Sequence, residues 1–555
     1  MSKSVQLNRI PVPLKQYLSP IAKETRVDLY SETGRQHICD TLLPKNLNRG
    51  HWFNKPEDSM SLMQQFAINA AFEVLEERGL FSVNGPPGTG KTTLLREIFV
   101  ENIVRRAAKL ASLNGAGDAF SPEKVRICFE DGATSPIARL KPDIAGFEMV
   151  VASSNNAAVE NISRDLPKRS SLKEPWLSSS YIQSVAHKIA AQKGNGSCKK
   201  LPENDVPWGL VSCVLGKTDN RRRFKEGFAF NKIEPDAKPT WSGDSKPETI
   251  WEWARNFKGP SFIDAACNFR DARANVEKNI ADLSRIAQLQ LWGNEKAIEA
   301  KKDAVSAAKA NCGKARKQVV DTEKSIDDSV AELKRLKEQE HLIDRTCPVW
   351  WKRLLGTSEA KSHKSAVSIN ALAQLRALEE QRKIQVQLKC ILNPKLTAAQ
   401  IAVTQAENAL AKQESELAEL DQLRDRFGDL SFLKSLGDVE LDSIQEKGIW
   451  THPDLDLSRS CLFAAALQLH ESWLAESMNK HGFKANIFAI NKLLSNQRLE
   501  NPGQSLLIWQ SLFMIVPVIS TTFASLARQF CDLERTSVMA VCSSDPILAQ
   551  NNRKK

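Results

Sequence analysis

The sequence predicts an α/β fold: a parallel-sheet lobe carrying a phosphate-binding loop, split by a long inserted antiparallel coiled-coil hairpin. Three observations predict it. A short apolar run at 80–84 (LFSVN) leads into a Gly/Pro loop and then a helical pattern from Lys91 to about Ala107. A second apolar run at 148–154 (EMVVASS) is followed by helical letters at 157–166, and strand, loop and helix repeated in this way mark a parallel sheet. From about Asn268 the composition shifts to Ala, Glu, Lys, Gln and Leu in two runs, 268–342 and 365–425, separated by the turn signals Pro348 and Gly356.

Taken in order, residues 1–60 show little periodicity and are punctuated by Pro11, Pro13, Pro20, Pro44 and Pro56, so their fold is unclear. A helix is expected from Ser61, with Leu62, Phe66, Ala70 and Val74 as its apolar stripe and Gly79 as its end. The first part of the lobe is assigned to 61–170, with 113–147 read as loop, and an accessory mixed region to 171–267. The hairpin insertion is assigned to 268–428. Ile326, Val330, Leu333 and Lys337 step by helical spacings there, and Val403, Leu410 and Leu417 stand a heptad apart, while Trp292-Gly293 and Asn393-Pro394 are expected to break the arms. Residues 429–540 return to the lobe and close it with the strand PVISTTF, leaving 541–555 as an atypical tail. The uncharged stretch 501–527 reads as a buried helix running into a buried strand, because Gln504, Gln510 and Pro517 suit a membrane span poorly.

The 555 residues are 42% hydrophobic and 26% charged, which excludes a wholly disordered or collagen-like chain. The net charge of +11 is compatible with a polyanionic partner and decides nothing alone. Eleven scattered cysteines form no CxxC and no zinc spacing, and no apolar leader is visible, so a reducing, cytoplasmic setting without a membrane partner is expected.

The chemistry concentrates at Gly85-Pro86-Pro87-Gly88-Thr89-Gly90-Lys91-Thr92, which satisfies GxxxxGK[ST]. Glycines let successive N–H groups curl toward phosphate oxygens, Lys91 brings a cation to the β/γ phosphates, and Thr92 offers an oxygen to Mg²⁺. The N-terminus of the following helix adds its dipole. ATP with Mg²⁺ is therefore the expected ligand, held by Gly85, Gly88, Thr89, Gly90, Lys91, Thr92 and Thr93.

Three further segments resemble motifs of superfamily 1 class B helicases, the branch containing the nonsense-mediated-decay helicase and its bacterial relatives. Residues 61–68 (SLMQQFAI) look like its Q motif, which implies that Gln64 reads the adenine edge. Residues 153–161 (SSNNAAVEN) are similar to motif Ia, which implies that Ser154, Asn155 and Asn156 lie against single-stranded DNA or RNA. Residues 517–525 (PVISTTFAS) resemble the strand and turn that precede Walker B. The resemblance implies a RecA-like lobe and an ATP-dependent helicase lineage.

The chain departs from that pattern where hydrolysis is decided. The Asp-Glu pair that positions Mg²⁺ and the attacking water is missing: near the expected place stand Ser543-Ser544-Asp545-Pro546, in which the serines are not expected to be strand core, and the sequence contains no Asp-Glu dipeptide. No catalytic residue is assigned. The second RecA-like lobe and its arginine fingers are also expected to be missing, as in a truncated product or a short natural paralogue. Binding with little or no turnover follows. Two other classes stay open: an SMC-like coiled-coil ATPase, which would lack Gln64 and SSNNAAVEN, and a non-catalytic protein whose coil binds a protein partner. At the hairpin turn, 349–355 (VWWKRLL) interleaves aromatic and basic groups that could stack on bases, touch a membrane surface, dock a partner or close the coil end, and 220–225 (NRRRFK) could contact phosphates.

Overall fold

The computed structural model describes residues 26–55, 58, 60–75, 80–85, 89–154, 163–194, 197–230, 247–292, 295–345, 348–367, 370–428, 445, 450–530, 533 and 539–543. The chain divides into two compact units, residues 1–287 with 430–555, and residues 288–429. The first holds helices α1 (Glu32–Thr41), α2 (Leu62–Val74) and α3 (Lys91–Ala111), the antiparallel pair β1 (Phe120–Cys128) and β2 (Thr134–Leu140), and strand β3 (Met149–Ser153). It continues with α4 (Gln183–Ala191), β4 (Ser212–Val214), α5 (Thr218–Ala229), α6 (Ile250–Asn256) and the greater part of α7 (Phe262–Trp292). The second unit comprises α8 (Glu295–Arg345), α9 (Trp350–Leu354), α10 (Ser358–Val367) and α11 (Asn370–Phe427). The chain then returns to the first unit through α12 (Pro453–Lys480), α13 (Lys484–Leu494), α14 (Ser505–Phe513), β5 (Val518–Thr522), α15 (Phe523–Gln529) and β6 (Met539–Ser543).

The central sheet runs β4-β5-β3-β6 and every pairing in it is parallel. Met149–Ser153 is buried at all five positions, the near-continuous apolar pattern of a parallel strand covered on both faces. The sheet is thus assembled from segments nearly 400 residues apart, and β3 pairs with β5 and β6 rather than with its sequence neighbours. Helix α12 starts cleanly because His452 caps it, Pro453 occupies its first turn, and Asp454 and Asp456 face the positive end of its dipole. It buries residues all round, as a core helix does. Its Phe463 meets Phe53 with ring centroids 4.7 Å apart, and Trp52 meets Trp208 at 5.9 Å, so the segment before α2 is part of the core.

Several expectations need correction. Residues 80–84 form no strand: they pair with no ladder among the described residues, and Leu80 and Val83 are exposed. An apolar run becomes a strand only when a neighbour takes its N–H and C=O groups. Residues 113–147 are not loop-rich but hold the β1–β2 ribbon, turned at Asp131-Gly132 with Gly132 at φ +82°. On α2 the stripe is rotated. Gln65, Ile68 and Asn69 are buried and Val74 is exposed, because Gln65 and Asn69 hydrogen-bond Asn48 and the Thr41 carbonyl inside the lobe. Met539–Ser543 is a strand through Ser543, since a backbone ladder is indifferent to serine side chains. The helix expected at 157–166 lies mostly outside the described residues. The stretch 501–527 is α14 followed by β5, and no helix among the described residues is long and apolar enough to cross a membrane.

In the second unit α8 and α11 run antiparallel. Lys309 pairs with Glu407 (2.9 Å), Glu323 with Lys389 (2.7 Å) and Lys337 with Glu379 (3.4 Å), so partners descend on one helix as they ascend on the other. The covered positions of α8, among them Val305, Ala308, Cys312, Val319, Ile326 and Leu333, keep the three-four spacing of a heptad seam. Val403, Leu410 and Leu417 lie on the facing seam, whereas Val330 and Lys337 fall outside it. Asn393-Pro394 does not break α11. Pro394 and Cys390, whose carbonyl loses its helical donor, both sit on the exposed face, where water replaces the bond. The hairpin also begins later than the composition implies: Phe262, Phe269, Val276 and Leu283 of α7 are buried within the first unit.

Candidate nucleotide-binding site

Gly90 caps α3 in the left-handed conformation, φ +76° and ψ 25°. A Cβ there would meet Gln64 Nε2 at 2.0 Å, so glycine is required both by the backbone angle and by the side chain lying over it. Leu94 N–H makes the first bond of the helix, to the Gly90 carbonyl, and the N–H groups of Thr92 and Thr93 precede it in the first turn. Lys91 folds back so that its ammonium donates to the Gly85 carbonyl at 2.6 Å, joining the two ends of the loop. Thr89 and Thr92 are exposed. Gly88 lies outside the described residues.

Gln64 is tied down from both ends. Its Oε1 accepts the Ser61 N–H at 3.1 Å, completing a capping box on α2, and its Nε2 donates to the Thr89 carbonyl at 3.1 Å. One amide hydrogen remains for a ligand. The side chain named from sequence is therefore in contact with the loop.

The expected nucleic-acid residues are only partly visible. Ser154 is exposed immediately beyond β3, while Asn155 and Asn156 lie outside the described residues. Ser153 aligns with Thr522 of β5 and with Ser543 of β6, so three parallel strands end in one row, the edge of an α/β sheet where ligands usually bind. Thr522 then caps α15, its hydroxyl accepting the Ser525 N–H. Asp545 and Pro546 lie outside the described residues.

Sequence reasoning missed the clamp on the middle of α3. Glu97, fully buried, accepts the Trp52 N–H (3.0 Å) and an Asn48 amide hydrogen (3.2 Å), and pairs with His51 at 3.0 Å. Glu101 accepts the N–H groups of Arg49 and Gly50 at 2.7 and 3.1 Å. Burial works against both charges of the His51–Glu97 pair. Their mutual attraction, aided by Asp456 for the histidine and Arg459 for the glutamate, outweighs it, so His51 is held above its ordinary range and Glu97 below its own. The available signal was two glutamates at i, i+4 flanking the apolar run Ile98-Phe99-Val100 of α3. Among the described residues no group of three or more His, Cys, Asp or Glu side chains could hold a metal ion.

No protein family, no curated protein and no solved structure matches the chain.

Proposed function

We propose that the first unit binds ATP with Mg²⁺ at the loop 85–92, as a RecA-like lobe of a superfamily 1 class B helicase lineage, and that the chain turns ATP over little or not at all. One arrangement carries the reading: a glycine-capped helix whose Lys91 bridges back to Gly85 while Gln64 lies on Gly90. On binding, the Lys91 ammonium exchanges a neutral carbonyl for β/γ-phosphate oxygens, a stronger, charge-assisted partner. The N–H groups at the start of α3 add theirs, Thr92 offers its hydroxyl to Mg²⁺, and the metal neutralises phosphate charge. Gln64 keeps one amide hydrogen for the adenine edge.

Weak turnover follows from the sequence. It contains no Asp-Glu pair to place Mg²⁺ and the attacking water. Single-stranded DNA or RNA at Ser154, Asn155 and Asn156, a cytoplasmic setting, and a protein partner on the hairpin, read as a coiled coil, complete the proposal.

Titration with a fluorescent ATP analogue tests it. Lys91→Ala should bind at least about tenfold more weakly than wild type, a loss of one charge-assisted contact. Equal affinity would overturn the binding site. Turnover above about 1 s⁻¹ with nucleic acid present would overturn the weak hydrolysis.

A further inference from the structure

The turn between α8 and α11 is an ordered element that keeps its apolar groups outside. The Leu355 N–H bonds the Trp351 carbonyl at 3.1 Å, Thr357 closes on the Lys352 carbonyl through its hydroxyl at 3.2 Å, and Gly356 turns the chain at φ +60°. Yet Trp350 is 72% exposed, Leu354 80% and Leu355 72%, and Val349 and Trp351 are also exposed. A hydrophobic cap on the hairpin end would bury these side chains, so capping does not account for them. Trp350 and Leu354 share one helical face at i, i+4.

The surrounding charge is one-sided. Between 345 and 364 stand Arg345, Lys352, Arg353, Lys361 and Lys364 against the single acid Glu359, which Lys352 engages at 2.8 Å. The one-sided charge belongs to the tip alone, since the open cleft on the adjoining arms is mixed, with Glu338 and Glu379 beside Lys334, Lys337, Arg345 and Arg382. Two exposed tryptophans with leucines, ringed by lysine and arginine, match the interface of an anionic bilayer, where indole and leucine enter the headgroup boundary and cations meet phosphate and carboxylate. A nucleic acid would offer bases to Trp350 and Trp351 but nothing to Leu354, Leu355 and Val349.

We infer that the hairpin tip docks on the surface of an anionic lipid bilayer, Trp350, Leu354 and Leu355 entering the interface and the basic ring holding the headgroups. Docking of this kind needs no spanning helix. It revises the expectation of no membrane partner and is independent of the nucleotide site.

Flotation of the full chain with phosphatidylcholine vesicles, with and without phosphatidylserine, tests the inference. The chain should float with the anionic vesicles and much less with the neutral ones, and high salt should release it. Trp350→Ser with Leu354→Ser should abolish flotation while leaving helix content by circular dichroism unchanged. Lys361→Ser and Lys364→Ser should each lower the partition about fivefold. Equal flotation of wild type and the tip variant would overturn the inference. So would failure to float at all, or a Trp350-dependent affinity for single-stranded oligonucleotide without vesicle binding.

Discussion

Replacing Gly90 by alanine separates two effects that a single stability measurement would merge. The first is backbone strain: a residue with a Cβ held at φ +76° costs about 1–2 kcal/mol. The second is displacement of Gln64, whose Nε2 lies 2.0 Å from the position of the new methyl group. Gln64 is the end of a flexible side chain, so it swings away rather than forcing the backbone apart. It then forfeits its bonds to the Ser61 N–H and the Thr89 carbonyl. These are half-exposed bonds, worth together about 1 kcal/mol, at the low end of the usual range. Gly90→Ala should therefore cost about 2–3 kcal/mol and Gln64→Ala about 1 kcal/mol. The double variant should be no less stable than Gly90→Ala alone, a coupling of about 1 kcal/mol. Urea unfolding of the four proteins, with the slope checked for constancy, measures the cycle. Strict additivity would show that Gln64 does not lie on Gly90, and the geometry of the loop would be wrong.

Glu471 is half-buried, and its pKa is pushed up to about 7, desolvation outweighing the hydrogen bond it accepts from the Ile182 N–H at 2.6 Å. Its contribution is complete below the ordinary carboxylate range and is lost as pH rises through about 7. Thermal melts should fall with pH across that window, and Glu471→Gln should flatten the fall. His51 is raised and Glu97 lowered, so their pair stabilises the fold between the two titrations and weakens as pH rises through the raised histidine value or falls through the lowered glutamate value. His51→Gln should cost about 3 kcal/mol near neutrality, by leaving Glu97 without its counter-charge, and should remove the alkaline limb of the melting profile. Asn486, fully buried, bonds both the N–H and the carbonyl of Ala138 (2.9 and 2.8 Å), acting as a third strand for β2. Asn486→Ala should cost about 2–4 kcal/mol by calorimetry, since two buried backbone groups lose their partners.

The start of α3 at Lys91 was legible because its requirements are local: a glycine where the backbone turns left-handed, and helix-forming residues directly after it. So were β3, whose run Met149–Ala152 is apolar without a break, and β5, into which apolar residues from Leu512 to Ile519 lead. The two long helices α8 and α11 were legible as composition, but the faces on which they meet were not. Val330 and Lys337 fit the helical count as well as Ser329 and Leu336, and only packing against α11 selects the latter pair. The β1–β2 ribbon was hidden by charge: Lys124 and Arg126 sit exposed on one face while Ile127 and Ile137 carry the buried one. On α2, burial of Gln65 and Asn69 inverts the usual inference from polarity, because their partners, Asn48 and Thr41, lie before the helix in sequence and across it in space. The helical content of 167–262 gave little periodicity to read, and β4, at three residues, is too short to announce itself.

The missed residues lie along the same helix as the motif that was found, and this bears on how the loop is held. Helix α3 begins at the phosphate loop and is fixed by backbone bonds from three other parts of the first unit. Glu97 and Glu101 take the N–H groups of 49–52; Asn102 donates to the Phe147 carbonyl, just ahead of β3; and Arg106 donates to the Phe513 carbonyl at the end of α14, just ahead of β5. Arg106 also donates to His470 Nε2 at 2.8 Å. Burial, and then that guanidinium, hold His470 well below its ordinary value, so it is neutral, accepts at Nε2, and carries its proton at Nδ1 against the Ala466 carbonyl. These charges cost desolvation energy that apolar residues would not. What they supply is direction: each fixes a named carbonyl or N–H at hydrogen-bond distance, whereas an apolar contact tolerates sliding. Helix α3 is thereby positioned against the entrances of β3 and β5, the two strands whose carboxyl ends carry Ser153 and Thr522. A triphosphate seated at its N-terminus would meet a helix already held in place, so little of the binding energy would be spent on ordering it.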